Sequence, residues 1–370
     1  MKFSTSKHEL QKALQKISKA SPIRSTLPIL SCVLIETSKQ KTLLSATDLE
    51  LTIQTELPVS VEEPGSICLP IKTLLEITNE LPETRITIHV INNKTSIKTD
   101  FGEYDLMAKP ADEFPAIPEI GNKYNFKISS EILKNIIKTT FFAISKDELK
   151  PALTGVLFRI NKSNIVTVST DGHRLVRYIR KDLAFNKIKG DFIAPRKFLS
   201  FLLTQLLDKE VKMLLGENYI AAKLNTDIVI TRLIDERFPD YESVIPKDNN
   251  KTLIINKDDF LSAVKRVSIF SNKSTHQVAI NLIEKNKCKI TTEDPEKSSK
   301  AQESLNVEYK GEELTIGYNA EYLKDVISHI STENIIVKFN TSISAALFNQ
   351  DVQKEEAETL MLLMPIRLND

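Results

Sequence analysis

The chain has 370 residues, 41% hydrophobic and 27% charged, with a formal net charge of +1. That balance suits a globular, intracellular chain of two or three domains, each with its own core, and excludes a disordered polypeptide. No apolar run approaches a bilayer-spanning length, MKFSTSKHEL lacks the apolar core of a signal peptide, and Cys32, Cys68 and Cys288 are too scattered for a disulfide framework or zinc site. The cysteines read as buried free thiols in a cytoplasmic protein.

The first predicted elements are a short strand, KFST, a polar corner and an amphipathic helix, HELQKALQKISKA. Leu10, Leu14 and Ile17 form one stripe of that helix, with Lys7, Lys12, Lys16 and Lys19 largely off it, and Lys12 and Lys16 read as a solvated face. Three strand-like runs follow: PILSCVLIET, KTLLSATD and LELTIQTEL. SICLP then opens a second helix, IKTLLEITNEL, and RITIHVI, TSIKTD and YDLMAKP close the segment. Residues 85–90 alternate with period two, the mark of a sheet with one buried face.

The pattern then starts again, at YNFKISSEILKNIIKTTFFAIS (124–145) and at TLIINKDDFLSAVKRVSIFSN (252–272). Phe3, Phe126 and Leu253 hold equivalent places, as do Leu10, Leu133 and Phe260, and Leu14, Ile137 and Val264. FIAPRKFLSFLLTQLL and TIGYNAEYLKDVISHI match the second helix, Pro195 falling on Pro70. An interval of about 125 residues is too long for a solenoid unit and suits a domain. The joining straps, DEFPAIPEIGNKY and ERFPDYESVIPKDNN, also align, and their prolines keep them extended. The expectation is an α+β chain of three tandem domains, 1–121, 122–247 and 248–370, each of two β-α-β-β-β half-units. Each terminal domain has a free sheet edge. A head-to-tail contact between copies would cover both edges and could close a ring.

Charge is unevenly divided. Residues 1–121 carry 13 basic and 16 acidic side chains, residues 122–247 carry 22 and 14, and residues 248–370 carry 15 and 19. The middle third is therefore basic, which suits a positive surface confined to one face.

Asp171, His173 and Arg174 fall together in STDGHRLVRY, and a hydrolase or nuclease using Asp171 and His173 is one reading. The chain has no HExxH, GxSxG or phosphate-binding loop, and its nine glycines form no phosphate-cradling cluster. No catalytic residue, metal site or cofactor is expected. Gly172 reads equally well as a turn residue between strands. A purely structural ring without DNA is a further alternative, against which the basic middle third speaks.

Four segments carry a resemblance: KPALTGVLF (150–158), STDGHRLVRY (169–178), RFPDYESVIP (237–246) and LMLLMPIRL (360–368). In this order, on a threefold repeat, they resemble the bacterial sliding clamp family, the beta subunit of the replicative DNA polymerase III. The likeness runs from MKF to MPIRL. It implies a non-catalytic processivity factor with the DNA-clamp fold. Two chains would close head-to-tail into a ring, helices lining the hole and sheets outside, around duplex DNA held without regard to sequence. An ATP-driven clamp loader would open it, although no ATP motif lies in this chain.

The resemblance also implies a pocket for short, mostly apolar peptides of the polymerase catalytic subunit, clamp loader and repair proteins. Leu153, Thr170, Gly172, His173, Arg174 and Leu175 would come from the middle third, with Pro239 and Val244 from the second strap. Asn319, Tyr322, Ile343 and Leu362 would come from the last third, with Met364, Pro365, Ile366 and Arg367 from the tail. Arg24, Lys72, Lys150, Arg196 and Lys197 would face DNA, attracting phosphates without reading bases. Tyr104 and Leu106 would meet Ile269 and Phe270 between copies. The chain departs from the family pattern at Ser243, where many relatives are basic, at Pro151-Ala152, where some carry aromatic residues, and at the terminal Asn369-Asp370.

Overall fold

The computed structural model describes residues 1–22, 24–121, 124–183, 190–207, 209–284 and 286–368; Asn369 and Asp370 lie outside the described residues. Six α-helices occur among them: α1 (Lys7–Ile17), α2 (Ile71–Glu80), α3 (Ser130–Phe141), α4 (Arg196–Gln205), α5 (Lys257–Ser268) and α6 (Ala320–Ser328). Each follows a strand without a break, because the corner residue ends the strand and opens the helix. Ser6 Oγ accepts from Glu9 N at 3.2 Å, and Asn256 Oδ1 accepts from Asp258 N and Asp259 N. Such side chains satisfy amide groups that the first helical turn leaves unpaired. α1 buries Leu10, Ala13, Leu14 and Ile17, and α5 buries Phe260, Ala263, Val264 and Val267 at the same spacing. The predicted stripes are thus the core faces.

Six β-α-β-β-β half-units are present, as expected. Their pairing was not legible in the sequence. Within a repeat the leading strand leaves its own half-unit and joins the three strands of the other. Lys2–Ser6 pairs with Arg85–Ile91, and Gly65–Pro70 pairs with Cys32–Thr37. The same exchange joins Lys251–Asn256 to Asn334–Phe339 and Leu314–Asn319 to Gln277–Leu282. Two short strands escaped the sequence reading, Ser60–Glu63 and Glu308–Lys310; each adds to the leading strand of its repeat.

The chain forms two compact units, Met1–Lys134 with Lys197–Leu233, and Asn135–Arg196 with Ile234–Asp370. They cut across the sequence thirds because sheets run through the repeat boundaries. In the first unit, Leu51–Leu57 pairs antiparallel with Asp227–Arg232, fusing two four-stranded sets into an eight-stranded sheet beside a five-stranded one. In the second, Arg174–Arg180 pairs with Ala357–Leu363, giving a nine-stranded sheet beside a four-stranded one. At each seam the last strand of one half-unit meets the last strand of another. Glu103–Met107 and Ser299–Asn306 are also last strands, and each ends its sheet.

The first seam corrects one expectation. Lys16 is not solvated: its Nζ lies 2.8 and 2.7 Å from the two carboxylate oxygens of buried Asp227. Thr55 Oγ1 also donates to Asp227, at 2.6 Å. The seam places Asp227 against α1, so a lysine off the apolar stripe finds a buried partner 211 positions away.

Candidate functional site

The turn after the strand Ile165–Thr170 occurs twice in the chain. Thr170 Oγ1 donates to Arg174 O and accepts from Gly172 N, while Asp171 Oδ1 accepts from His173 N and Arg174 N. In the first unit, Thr47 Oγ1 donates to Leu51 O and accepts from Leu49 N, while Asp48 Oδ1 accepts from Glu50 N and Leu51 N. Gly172 has φ +91° and Leu49 has φ +76°. The threonine, the aspartate and the left-handed residue are therefore what the turn itself needs. What differs is Gly172 for Leu49, His173 for Glu50 and Arg174 for Leu51. An internal duplicate thus separates fold from site.

Asp171 is not poised as a general base. Its Oδ1 is engaged by the two backbone amides, and its Oδ2 accepts from Arg174 Nε at 3.0 Å. His173 is exposed and stacks on Tyr322, ring centroids 5.5 Å apart at 19°. No group of three or more His, Cys, Asp or Glu able to hold a metal occurs among the described residues.

Arg174 is buried, and its guanidinium binds three segments. Nε donates to Asp171, Nη1 to Asp325 on α6, and Nη2 to Phe142 O at 2.8 Å. The guanidinium carbon lies 4.7 Å from the Tyr322 ring centroid and 5.3 Å from that of Phe142. Phe142 in turn stacks on His329, centroids 3.9 Å apart. Asn319 caps α6, accepting from Glu321 N and Tyr322 N, which fixes where Tyr322 leaves the helix. The sequence reading missed Phe142, Asp325 and His329. The available signal was spacing: Asp325 lies three residues beyond Tyr322, on the same helix face.

The tail closes over this corner. Met364 N donates to His173 O at 2.8 Å, and Ile366 N donates to Gly317 O at 2.9 Å. Gly317 is required there, because a Cβ would stand 2.7 Å from both Ile366 O and Leu368 Cδ2. Ile343, Ile366, Arg367 and Leu368 line a cleft of about 360 Å³ with Thr315, Gly317 and Ser342. Ile343 and Met364 are exposed, Pro365 and Ile366 half-buried. Leu175 and Leu362 are opposite neighbours in the sheet and fully buried, so they form floor rather than surface. Leu153 is half-buried, whereas Pro239, Ser243 and Val244 are exposed. Their strap is held by Phe238, Tyr241 and Ile245, which pack into the same apolar cluster as Leu175 and Leu362.

The basic residues do not form one set. Arg24 and Lys72 are exposed, and Lys72 makes only a loose 3.8 Å pair with Glu76. Lys150 lies 3.8 Å from Asp147. Arg196 lies over the Phe141 ring at 5.3 Å. Lys197 is ion-paired with Asp48, the turn aspartate of the first unit. At the sheet ends, Tyr104 and Leu106 are half-buried on one face of Glu103–Met107. Ile269 and Phe270 are exposed, and Phe270 O accepts from Ser299 Oγ at the start of the other edge strand.

Comparison with known proteins matches this architecture along its whole length. Family models of the DNA polymerase III beta subunit match in chain order: the N-terminal domain over residues 1–118, the central domain over 127–240 and the C-terminal domain over 242–367. The chain is 32% identical to the beta sliding clamp of Pseudomonas aeruginosa and 30% identical to that of Vibrio cholerae, covering 100% of both partners in each case. Among solved structures it resembles the P. aeruginosa sliding clamp bound to griselimycin, with TM-score 0.92 and 31% identity. It also resembles the Bacillus subtilis sliding clamp, with TM-score 0.94 and 28% identity; each comparison covers 100% of both chains. The hydrolase reading of Asp171 and His173 is not favoured, and the chain belongs to the DNA polymerase III beta subunit family: it is a replicative sliding clamp, a non-catalytic processivity factor built of three tandem clamp domains.

Proposed function

We propose that two copies close head-to-tail into a ring around duplex DNA and tether the replicative polymerase, its clamp loader and repair proteins through the corner at His173, Tyr322 and the tail. The observation that carries this is the pair of edge strands. Every half-unit ends in a strand, and four of the six are paired at seams within the chain. Of these six last strands, Glu103–Met107 and Ser299–Asn306 are the two that lack a partner on one side among the described residues. Unpaired edges of a repeat protein call for cover, and two complementary edges on one chain suit a heterologous, head-to-tail contact of the kind that forms a ring when its rotation closes.

The internal seams supply the register. Three hairpins have four-residue loops, closed by Thr47↔Thr52, Thr170↔Leu175 and Asp294↔Ser299. Three half-units end by donating back to their leading strand, from Lys109, Ile234 and Ile366. With these as fixed points, Thr231↔Leu51 and Leu363↔Arg174 are the same pair in two seams. The third seam then sets Leu106 opposite Ser298 and Tyr104 opposite Lys300 of the second copy. Ile269 and Phe270, beside that edge, are its apolar anchors.

Arg24, Lys72, Lys150 and Arg196 supply salt-sensitive, sequence-blind attraction to phosphate, Lys197 contributing less because Asp48 neutralises it. The domains divide at 121/122 and 247/248. The partner peptides are short and mostly apolar, matching the cleft beside Ile343 and Ile366 and the exposed Met364, a side chain that re-packs around different partners. Griselimycin, bound by the P. aeruginosa relative, is a ligand for this chain and a probe of the corner. The protein works in the cytoplasm; among the described residues no helix is long and apolar enough to cross a membrane.

The assembly is tested by sedimentation of Ile269→Ala with Phe270→Ala. Loss of two anchors should weaken dimerisation by about a hundredfold or more. A double variant that sediments as the wild type at low micromolar concentration would contradict the placement of the interface.

A further inference from the structure

We infer that Asp325, with Phe142 and His329, is a positioning element of the peptide site: it holds the Arg174 guanidinium against two aromatic rings and thereby sets Tyr322 against His173. The inference rests on the reading of that corner as the partner site, and goes beyond it, because none of the three residues belongs to the expected pocket.

The geometry is a series of flat groups in contact. His173 stacks on Tyr322, Tyr322 covers one face of Arg174, Phe142 lies over the same guanidinium, and His329 stacks on Phe142. The five groups come from three places in the chain: the turn, the segment after α3, and α6. His329 caps the C-terminus of α6, seven residues or two turns beyond Tyr322. The arginine joins them through all of its nitrogens, and on α6 it meets Asp325 by a hydrogen bond and Tyr322 by its ring face.

The duplicate turn shows that this series is not a requirement of the fold. At the first turn Leu51 stands in place of Arg174, and the same threonine and aspartate hydrogen bonds form without a guanidinium. A buried arginine is costly unless every donor is satisfied. Its presence at one turn and not the other is accounted for by what it holds. Asp325 is half exposed, at 48% of its side chain, so it adds little to the core, and Asp325→Asn keeps an acceptor oxygen for the guanidinium, which spares the fold. Its carboxylate instead fixes the angle at which α6 presents Tyr322 beside His173, whose carbonyl in turn holds Met364. The Nη1 bond to Asp325 is charge-assisted, so a neutral amide in its place holds the guanidinium more weakly.

The test uses the full chain with Asp325→Asn and Asp325→Glu, alongside His173→Ala. Two readouts are taken: griselimycin affinity by titration calorimetry, and the imidazole proton resonances, of which the chain has five sets. In the wild type, His173 and His329 resonances should be displaced by the facing Tyr322 and Phe142 rings. Asp325→Asn should return the His173 resonance toward its free position and weaken griselimycin by about tenfold, the loss of one charge-assisted hydrogen bond. The melting temperature should stay near the wild type, and Asp325→Glu should recover both readouts in large part. Wild-type His173 resonances in Asp325→Asn would overturn the inference whatever the affinity. So would equal losses of stability and affinity in Asn and Glu variants, which mark a merely structural residue. If His173→Ala leaves griselimycin unaffected, the partner-site reading fails, and the resonances still decide the positioning claim.

Discussion

Gly172→Leu copies into the second turn the residue that the first turn already carries. Gly172 sits at φ +91°, and nothing lies within 4 Å of a Cβ built there, so the substitution meets no steric wall. Leu49 occupies the equivalent position at φ +76° with half its surface exposed. The cost is therefore conformational: holding a non-glycine residue left-handed costs about 1–2 kcal/mol, partly offset by the lower entropy of the unfolded leucine. A net loss of about 1 kcal/mol corresponds to about 2–4 °C in the melting temperature of a unit of this size. The functional effect should be larger. A leucine standing out beside His173 would fill space in front of the corner, and griselimycin affinity should fall by at least about tenfold, or about 1.4 kcal/mol. The reciprocal Leu49→Gly should change stability by less than about 1 kcal/mol, relief of strain offsetting gained chain entropy, and leave affinity unchanged. Paired thermal denaturation and calorimetry measure both. Unaltered affinity in Gly172→Leu would show that the peptide path does not pass the turn, and a stability loss above about 3 kcal/mol would refute the equivalence of the two turns.

Two further outcomes concern stability. Asp227→Ala leaves Lys16 without its buried partner, and urea denaturation should show a loss of about 3–5 kcal/mol in the first unit; a change below about 1 kcal/mol would mean that the pair is not worth what its burial implies. Burial pushes the Cys68 and Cys288 thiols up to about 12 and raises Cys32 above its ordinary value near 9.0. The folded chain thus holds these protons more tightly than the unfolded chain. Their contribution is complete below pH about 9 and is lost as pH rises towards about 12. Native protein should leave all three cysteines unreacted with a thiol reagent at pH 8, and rapid modification without denaturant would show that they are accessible.

How much the sequence disclosed follows from the range of each interaction. The six strand–helix corners and the buried stripes of α1 and α5 were legible because caps and helical periodicity are local signals. Ser60–Glu63 and Glu308–Lys310 are too short and polar to announce themselves. The exchange of leading strands depends on partners dozens of residues away, which periodicity cannot encode. At the site, the motif residues His173 and Arg174 and the tail Met364 were picked out by resemblance, and the structure brings them together. What they rest on was not visible, since Asp325 lies 151 positions from Arg174 and Lys16 lies 211 from Asp227. The ion pair of Lys197 with Asp48 is likewise a contact between residues 149 apart, out of reach of any local signal.

The central claim is that the chain holds DNA by enclosing it. The most direct measurement is retention of loaded protein on a nicked circular duplex and on the same duplex made linear, at physiological salt. Electrostatic contact alone is blind to whether the DNA has ends, and its strength falls with salt on either form. A closed ring should stay on the circle through gel filtration and run off the linear form within the same run, with added salt making little difference to the circle. Equal retention on circular and linear DNA would contradict the account.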